Sequence, residues 1–369
     1  MERLKRDVEA LAAIVRDSAG AGERASARWI AGRLREAGTS DVRIEPYRYR
    51  TTFALAHAAH AAVALVATRL PRRAATALSL AALTSLELDA SGRLQWLARL
   101  PPTGEGANVV GHVPAAGAPR RRVVVVAHHD AARTGLVWKL PLERFGGERW
   151  LRRRRIDPLL LPFVPAFALA GLARGPATVV LGAGVLVGLD LLRGMTVPGA
   201  SDNASGVAAL LALAECFGRK PLAGTELVLL TCGSEEAGMG GMRAFLDAHP
   251  EADLVLGLDT LGAGDPIVLA GEGALLPHRY RAEDLDLAER GAARAGEPPP
   301  ERWQIGGWTD PILARFAGLR AISLLSIGPQ GMFTNYHRPT DTPDRVDWGC
   351  VERCVRIARG IVKEFAAGV

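Results

Sequence analysis

The chain opens with two amphipathic stretches. In MERLKRDVEALAAIVRD, Val8, Leu11 and Ile14 or Val15 fall on one stripe between charged residues. In GERASARWIAGRLREAG (22–38), Ala27, Ile30 and Leu34 recur at helical spacing and Gly38 supplies a C-terminal stop. Both patterns predict helices. DVRIEPYRYR (41–50) then alternates like a strand. From Val123 onward short apolar runs at 123–127, 227–231, 254–258, 267–270 and 321–327 alternate with helical patterns at 204–217, 241–248, 282–295 and 348–366. Unbroken Val/Leu runs predict strands covered on both faces, so the expected fold is one α/β domain over 1–369, with a mostly parallel or mixed sheet sandwiched by helices.

Two stretches stand outside that rhythm. Residues 53–70 with 74–88, and 158–172 with 177–192, read as apolar helical hairpins carried by insertions at 51–100 and 136–196. At about 1.5 Å per residue these arms reach roughly 22 to 27 Å, somewhat short of a bilayer's hydrocarbon core of about 30 Å. His57, His60, Glu87, Pro162 and Pro165 weigh against a membrane span, whereas Arg69, Arg72, Arg73 and Arg152 to Arg155 suit headgroups. An exposed apolar hairpin must be covered by something. The expectation is therefore membrane contact or a homo-oligomer interface through the hairpins, with a helical cap as the alternative.

Composition narrows the class. With 369 residues, 49% of them hydrophobic and 23% charged, disorder, collagen and small disulfide scaffolds are excluded. The net charge is +6, and 41 of the 45 basic residues are arginine, yet they are spread along the chain and aromatics make up only 5%. No stacking platform for bases is visible, so no nucleic-acid partner is expected. Cys216, Cys232, Cys350 and Cys354 form neither a disulfide framework nor a CxxC metal knuckle. Reduced thiols and an N-terminal amphipathic helix in place of a signal peptide point to a cytoplasmic protein, with membrane association as the alternative.

The chemistry lies in where acids and imidazoles fall relative to the strands. VVVVAHHD puts His128, His129 and Asp130 just past one strand, LVLLTCGSEE puts Glu235 and Glu236 past another, and LVLGLD puts Asp259 at a third. PGASDNASG places Asp202 at the mouth of a helix, and FTNYHRPTDTPDRVD places Tyr336 and His337 in a loop before the last helix. Each feature alone is common surface, cap or structural polarity. Together they converge, because ligands of open α/β sheets bind outside the carboxyl ends of the strands. Clustered carboxylates raise one another's pKa unless cations compensate, and oxygen and imidazole donors without thiolate suit zinc, with cobalt or manganese as alternatives.

In this order, AHHD, PGASDNASG, GSEEAGMGGMRAFL, LGLD and YHRPTDTPDRVD resemble the successive motifs of the co-catalytic di-zinc aminopeptidases, a family that includes glutaminyl cyclases and transferrin-receptor-like ectodomains. The resemblance implies two Zn²⁺ ions: His128 and Asp259 on one, Glu236 and His337 on the other, and Asp202 bridging both. Asp130 would orient His128 from outside the coordination sphere. Glu235 would be the general base, acting on a metal-bridging hydroxide, and Tyr336 an extra donor to the developing oxyanion. The implied activity is hydrolysis of the N-terminal peptide bond of a peptide substrate.

The pattern departs from the family in three places. Ser201 stands where an Asp often precedes the bridging residue, His129 where an aromatic is common, and Thr309-Asp310-Pro311 where Ser-Asp-His is often seen. Trp303, Trp308 and Phe333 are candidates for the pocket wall. Two alternatives remain beside the peptidase: a non-catalytic binding or scaffold relative, and a membrane-associated amide hydrolase with a non-peptide substrate.

Overall fold

The computed structural model describes residues 1–99 and 101–368. Leu100 and Val369, the outer ends of the expected insertion 51–100 and of the domain 1–369, lie outside the described residues. Ten strands form one mixed sheet: β1 (Ser40–Arg50), β2 (Thr103–Val113), β3 (Ala116–His128), β4 (Arg155–Ile156), β5 (Ala223–Cys232), β6 (Leu254–Leu258), β7 (Asp265–Glu272), β8 (His278–Arg279), β9 (Glu301–Ile305) and β10 (Ala321–Ile327). Their order is β1-β2-β5-β3-β6-β10-β7-β9-β4, with β8 paired to β7. The centre, β5-β3-β6-β10, is parallel, and antiparallel pairs β2/β5 and β10/β7 flank it. Val123 to Val126 are at most 1% exposed, as an apolar run covered on both faces requires.

The helices are α1 (Glu2–Ala12), α2 (Ala21–Glu36), α3 (Ala54–Ala67), α4 (Arg72–Ala90), α5 (Leu136–Lys139), α6 (Leu142–Arg153), α7 (Val164–Ala168), α8 (Arg174–Arg193), α9 (Ser205–Arg219), α10 (Gly240–Ala248), α11 (Ala282–Arg294), α12 (Pro311–Phe316) and α13 (Trp348–Ala367). Two sets cover the sheet: a row in which α9 packs against α1, α2 and α13, with α11 on α13, and a pair, α10 and α12. Asp347 caps α13 by accepting from the Cys350 N–H at 3.0 Å.

The inserted segments differ from two independent hairpins. α3 runs antiparallel to α8, and the two insertions interleave into one helical bundle with its own apolar core, including Leu86, Phe167 and Leu181. The approach is close because small residues face each other. A Cβ on Gly188 would sit 2.7 Å from the Ala58 Cβ and 3.0 Å from the Ala54 carbonyl oxygen. At the far end Thr68 Oγ1 and Thr178 Oγ1 are 3.2 Å apart. The arm expected at 158–172 is only a 3₁₀ turn, Leu161–Phe163, followed by the short α7. Pro162 and Pro165 contribute to this: neither carries an N–H, so neither can donate to the carbonyl four residues back.

A buried acid behind the site gives a stability test. Glu272 is fully buried; it accepts from the Thr309 N–H at 2.6 Å and from the Thr309 and Tyr280 hydroxyls. Burial outweighs these bonds and pushes its carboxyl up to about 8. An acid whose folded pKa exceeds its unfolded value stabilises the fold at low pH, and the contribution is lost as pH rises from the unfolded value near 4.5 to about 8. In Glu272→Gln, whose amide oxygen can face the Thr309 N–H while its NH₂ donates to the hydroxyls, chemical denaturation should show a flatter decline over that window. The difference should be of the order of a few kcal/mol, at about 1.4 kcal/mol per pKa unit.

Candidate metal centre

The parallel centre of the sheet sets the site. β3 and β5 are in register so that His128 lies opposite Cys232, and β6 ends at Leu258, one residue before Asp259. Three carboxyl ends thus stop side by side. After Cys232 the chain turns through Ser234 at φ +52°, a left-handed conformation uncommon for a non-glycine residue. Glu23 of α2 holds that turn, accepting from the Ser234 N–H and Oγ, both at 2.9 Å. Asp130, wholly buried, accepts from the Glu235 N–H at 3.0 Å and the Glu236 N–H at 3.1 Å, with Ser18 Oγ donating at 2.7 Å. It also lies 3.5 Å from His128 Nδ1, so one carboxylate positions both the imidazole and the Glu-Glu turn.

Asp202 precedes α9, and its backbone is fixed from a distant loop. Asp341 accepts from the N–H groups of Ser201 and Asp202 at 2.8 and 3.1 Å. His337, at φ +53°, is held between aromatic rings: Tyr336 stacks on it at 3.8 Å and Trp138 meets it edge-on at 4.4 Å. Trp138 belongs to α5 in the second insertion. Arg338 ties the two segments by donating to the carbonyls of Trp138 at 2.7 Å and Leu140 at 2.9 Å.

All five candidate ligands meet. His128 Nε2 is 3.2 Å from Asp202 Oδ1 and 3.5 Å from Asp259 Oδ1. His337 Nε2 is 3.3 Å from Asp202 Oδ2 and 3.3 Å from Glu236 Oε2. Asp202 therefore faces one group with each oxygen, and donor atoms within each trio lie within 4.8 Å of one another. An ion bound tetrahedrally at about 2.0–2.1 Å places its ligands about 3.3–3.4 Å apart, so the donor spacings fit zinc. Glu236 Oε1 is buried without a hydrogen-bond partner, as a carboxylate oxygen aimed at a cation would be. Glu235 joins His128 and Glu236 in a third group.

The electrostatics call for cations. Burial, then repulsion from Asp310, Glu236 and Asp259, pushes the Glu235 carboxyl well above the ordinary range, against the opposing pull of His128. Asp202 goes the other way: burial would raise it, but hydrogen bonding to both imidazoles holds it low. Burial likewise opposes His337, yet Glu236 and Asp202 lift it to about 10. Carboxylates crowded together out of water in this way favour a compensating positive charge.

Three further groups, Asp341, Glu23 and the fully buried Arg16, support the site without having been singled out in the sequence. Arg16 donates to the carbonyls of Leu11, His129 at 2.9 Å and Gly199 at 2.8 Å. Only Asp341 left a trace, as an acid inside the motif that carries His337. In Asp341→Asn one carboxylate oxygen becomes an NH₂, which turns a donor toward one of the two N–H groups while the amide oxygen still accepts from the other. Zinc titration against a competing chelator should show affinity falling about 10- to 100-fold, the usual cost of losing a partner that orients a ligand.

A cavity of ≈ 300 Å³ opens onto the donors. Its wall includes Phe53, Trp138, Phe163, Phe167, Trp308 and Phe333, with Tyr336 beside His337. Trp303, expected in the wall, is instead 1% exposed in the main core, because its position on β9 turns it inward. Pro311, standing where the resemblance expects His, opens α12 and packs over Gly257. Asp310 is buried beside Cys232, and burial lifts its carboxyl to about 7.

Two imidazoles and three carboxylates, with Asp202 common to two donor trios at the end of a parallel sheet, are a donor set that could hold metal ions. The chain belongs to peptidase family M28, whose profile matches residues 176–362. His128 and Asp130 lie outside that match. The fold is also that of solved structures at low identity. A zinc aminopeptidase from Bacillus subtilis is 13% identical, with a TM-score of 0.61, over 99% of this chain and 94% of that one. An aminopeptidase from Aneurinibacillus sp. strain AM-1 is 14% identical, with a TM-score of 0.59, over 98% and 92%. A glutaminyl cyclase from Bacteroides thetaiotaomicron is 14% identical, with a TM-score of 0.59, over 98% and 97%. No curated protein matches the sequence.

Proposed function

We propose that this chain is a zinc-dependent aminopeptidase that holds two ions and removes a large apolar residue from the N-terminus of a peptide. The observation that carries this reading is the pair of donor trios sharing Asp202 at the base of an apolar cavity, with Glu235 beside them. His128 and Asp259 would hold one ion, Glu236 and His337 the other. Bound zinc supplies Lewis acidity toward the scissile carbonyl and the attacking water.

The residues do the rest. Glu235 accepts a proton from the water that adds to the carbonyl and returns it to the departing amine. Its backbone is pinned by Asp130, so the carboxylate is presented without being needed for coordination. Tyr336, which lines the cavity beside His337, would donate its hydroxyl to the developing oxyanion. The aromatic wall accepts the side chain of the leaving residue and excludes water.

A second reading, a membrane-associated amide hydrolase acting on a non-peptide substrate, draws on the bundle residues Leu86, Phe163 and Phe167 in the cavity wall. The scaffold alternative is disfavoured because every donor position and the base position hold competent side chains. A panel of chromogenic aminoacyl amides and N-acylated amides, assayed with chelator and zinc add-back, separates these readings. Leucine and phenylalanine amides should be cleaved fastest, lose cleavage on chelation and regain it with zinc. Chelator-insensitive hydrolysis, or a preference for charged residues or N-acylated amides, would refute the aminopeptidase reading.

A further inference from the structure

The inserted bundle wears its apolar residues on the outside. Of the 21 exposed large apolar side chains among the described residues, 17 lie in segments 51–99 and 136–196, and the rest of the chain contributes only four. Val63 and Val66 on α3, Leu80 on α4, and Val179 and Leu186 on α8 are between 42% and 72% exposed. On α8, Val179, Ala183 and Leu186 recur at helical spacing along one outer stripe. The helix is 20 residues long, about 30 Å, with Arg174 at one end and Arg193 at the other. Patches of this extent on a soluble surface mark an interaction site.

Charge follows the same boundary. The insertions 51–100 and 136–196 carry 14 basic and 6 acidic residues, whereas the rest carries 31 and 33, so the chain's whole positive excess sits there. Arg69, Arg72, Arg73 and Arg174 are exposed and gather at the tip of the bundle, where Arg174 Nη2 donates to the Leu70 carbonyl at 2.7 Å. No acid occurs anywhere in 51–86 or 158–189. A second copy of this chain laid on the face would bring arginines against arginines. Phosphate headgroups above acyl chains match both features, apolar flanks and cationic ends.

We propose that the inserted bundle seats this protein on a lipid bilayer bearing anionic headgroups, with the outer faces of α3, α4 and α8 in the acyl region and the bundle's arginines at the phosphates. The proposal does not rest on the peptidase reading, and its test does not use activity. The full chain is floated with vesicles of phosphatidylcholine alone and of phosphatidylcholine with phosphatidylglycerol, at about 50 mM and about 500 mM salt. Binding should favour the anionic vesicles and weaken at high salt. Arg69→Glu/Arg72→Glu/Arg73→Glu, and separately Val179→Asp/Leu186→Asp, should each lower binding at least roughly tenfold. Both variants change exposed positions and should keep the parent's circular dichroism and thermal transition. If either unfolds, Leu186→Ser alone serves for the apolar arm. No flotation with either vesicle, or flotation that the variants leave unchanged, would overturn the proposal. So would a concentration-dependent dimer that Val179→Asp/Leu186→Asp dissociates in the absence of vesicle binding, since a second copy would then be the occupant.

Discussion

Asp202→Ala should strip both metals together. Its two oxygens approach different imidazoles, Oδ1 at 3.2 Å from His128 and Oδ2 at 3.3 Å from His337. Removing it takes one ligand from each trio. The affinity loss should exceed the 10- to 100-fold typical of a partner outside the coordination sphere, so each ion should bind at least about a hundredfold more weakly. Hydrolysis at ordinary zinc concentrations should fall by about 10³-fold or more, since on the proposed mechanism the metal would supply both carbonyl polarisation and water activation. Asp259→Ala is the control: it belongs to one trio only, so elemental analysis after gel filtration should find one zinc retained where Asp202→Ala retains none. Two zincs per chain in Asp202→Ala would remove the bridging role.

Glu235→Gln should do the opposite, keeping the metals and losing turnover. The glutamine is isosteric, and the turn survives because Asp130 grips the backbone N–H groups of 235 and 236, not their side chains. What is lost is the proton acceptor, worth about 10²- to 10⁴-fold in kcat. Zinc content and KM should stay near the parent values. Because KM reports binding while kcat reports the proton transfer, a variant in which KM rises and kcat holds would mark Glu235 as a binding residue instead.

Much of this was legible in the sequence, for identifiable reasons. The Val/Leu runs of β3, β5, β6 and β10 announce strands covered on both faces, and the site acids are legible because parallel strands deliver their carboxyl ends to one edge. β2 was hidden: Gly104, Gly106 and Gly111 break its alternation. β9, five residues with charge at its start, has too little pattern to register. The interleaving of the two insertions depends on Gly184 and Gly188 of one meeting alanines of the other, a contact no periodicity encodes. Glu23, Asp341 and Arg16 escaped for a related reason: each acts on backbone groups of segments far away in the chain. An acid that accepts an N–H 139 or 211 residues away looks like any other acid until the fold brings the two together.

The central claim is that Asp202 stands between two ions, and anomalous diffraction at the zinc absorption edge tests it most directly. Crystals of the zinc-loaded protein should give two peaks on either side of the Asp202 carboxylate, one against His128 and Asp259, the other against Glu236 and His337. A single peak, or a second peak away from Asp202, would contradict the account.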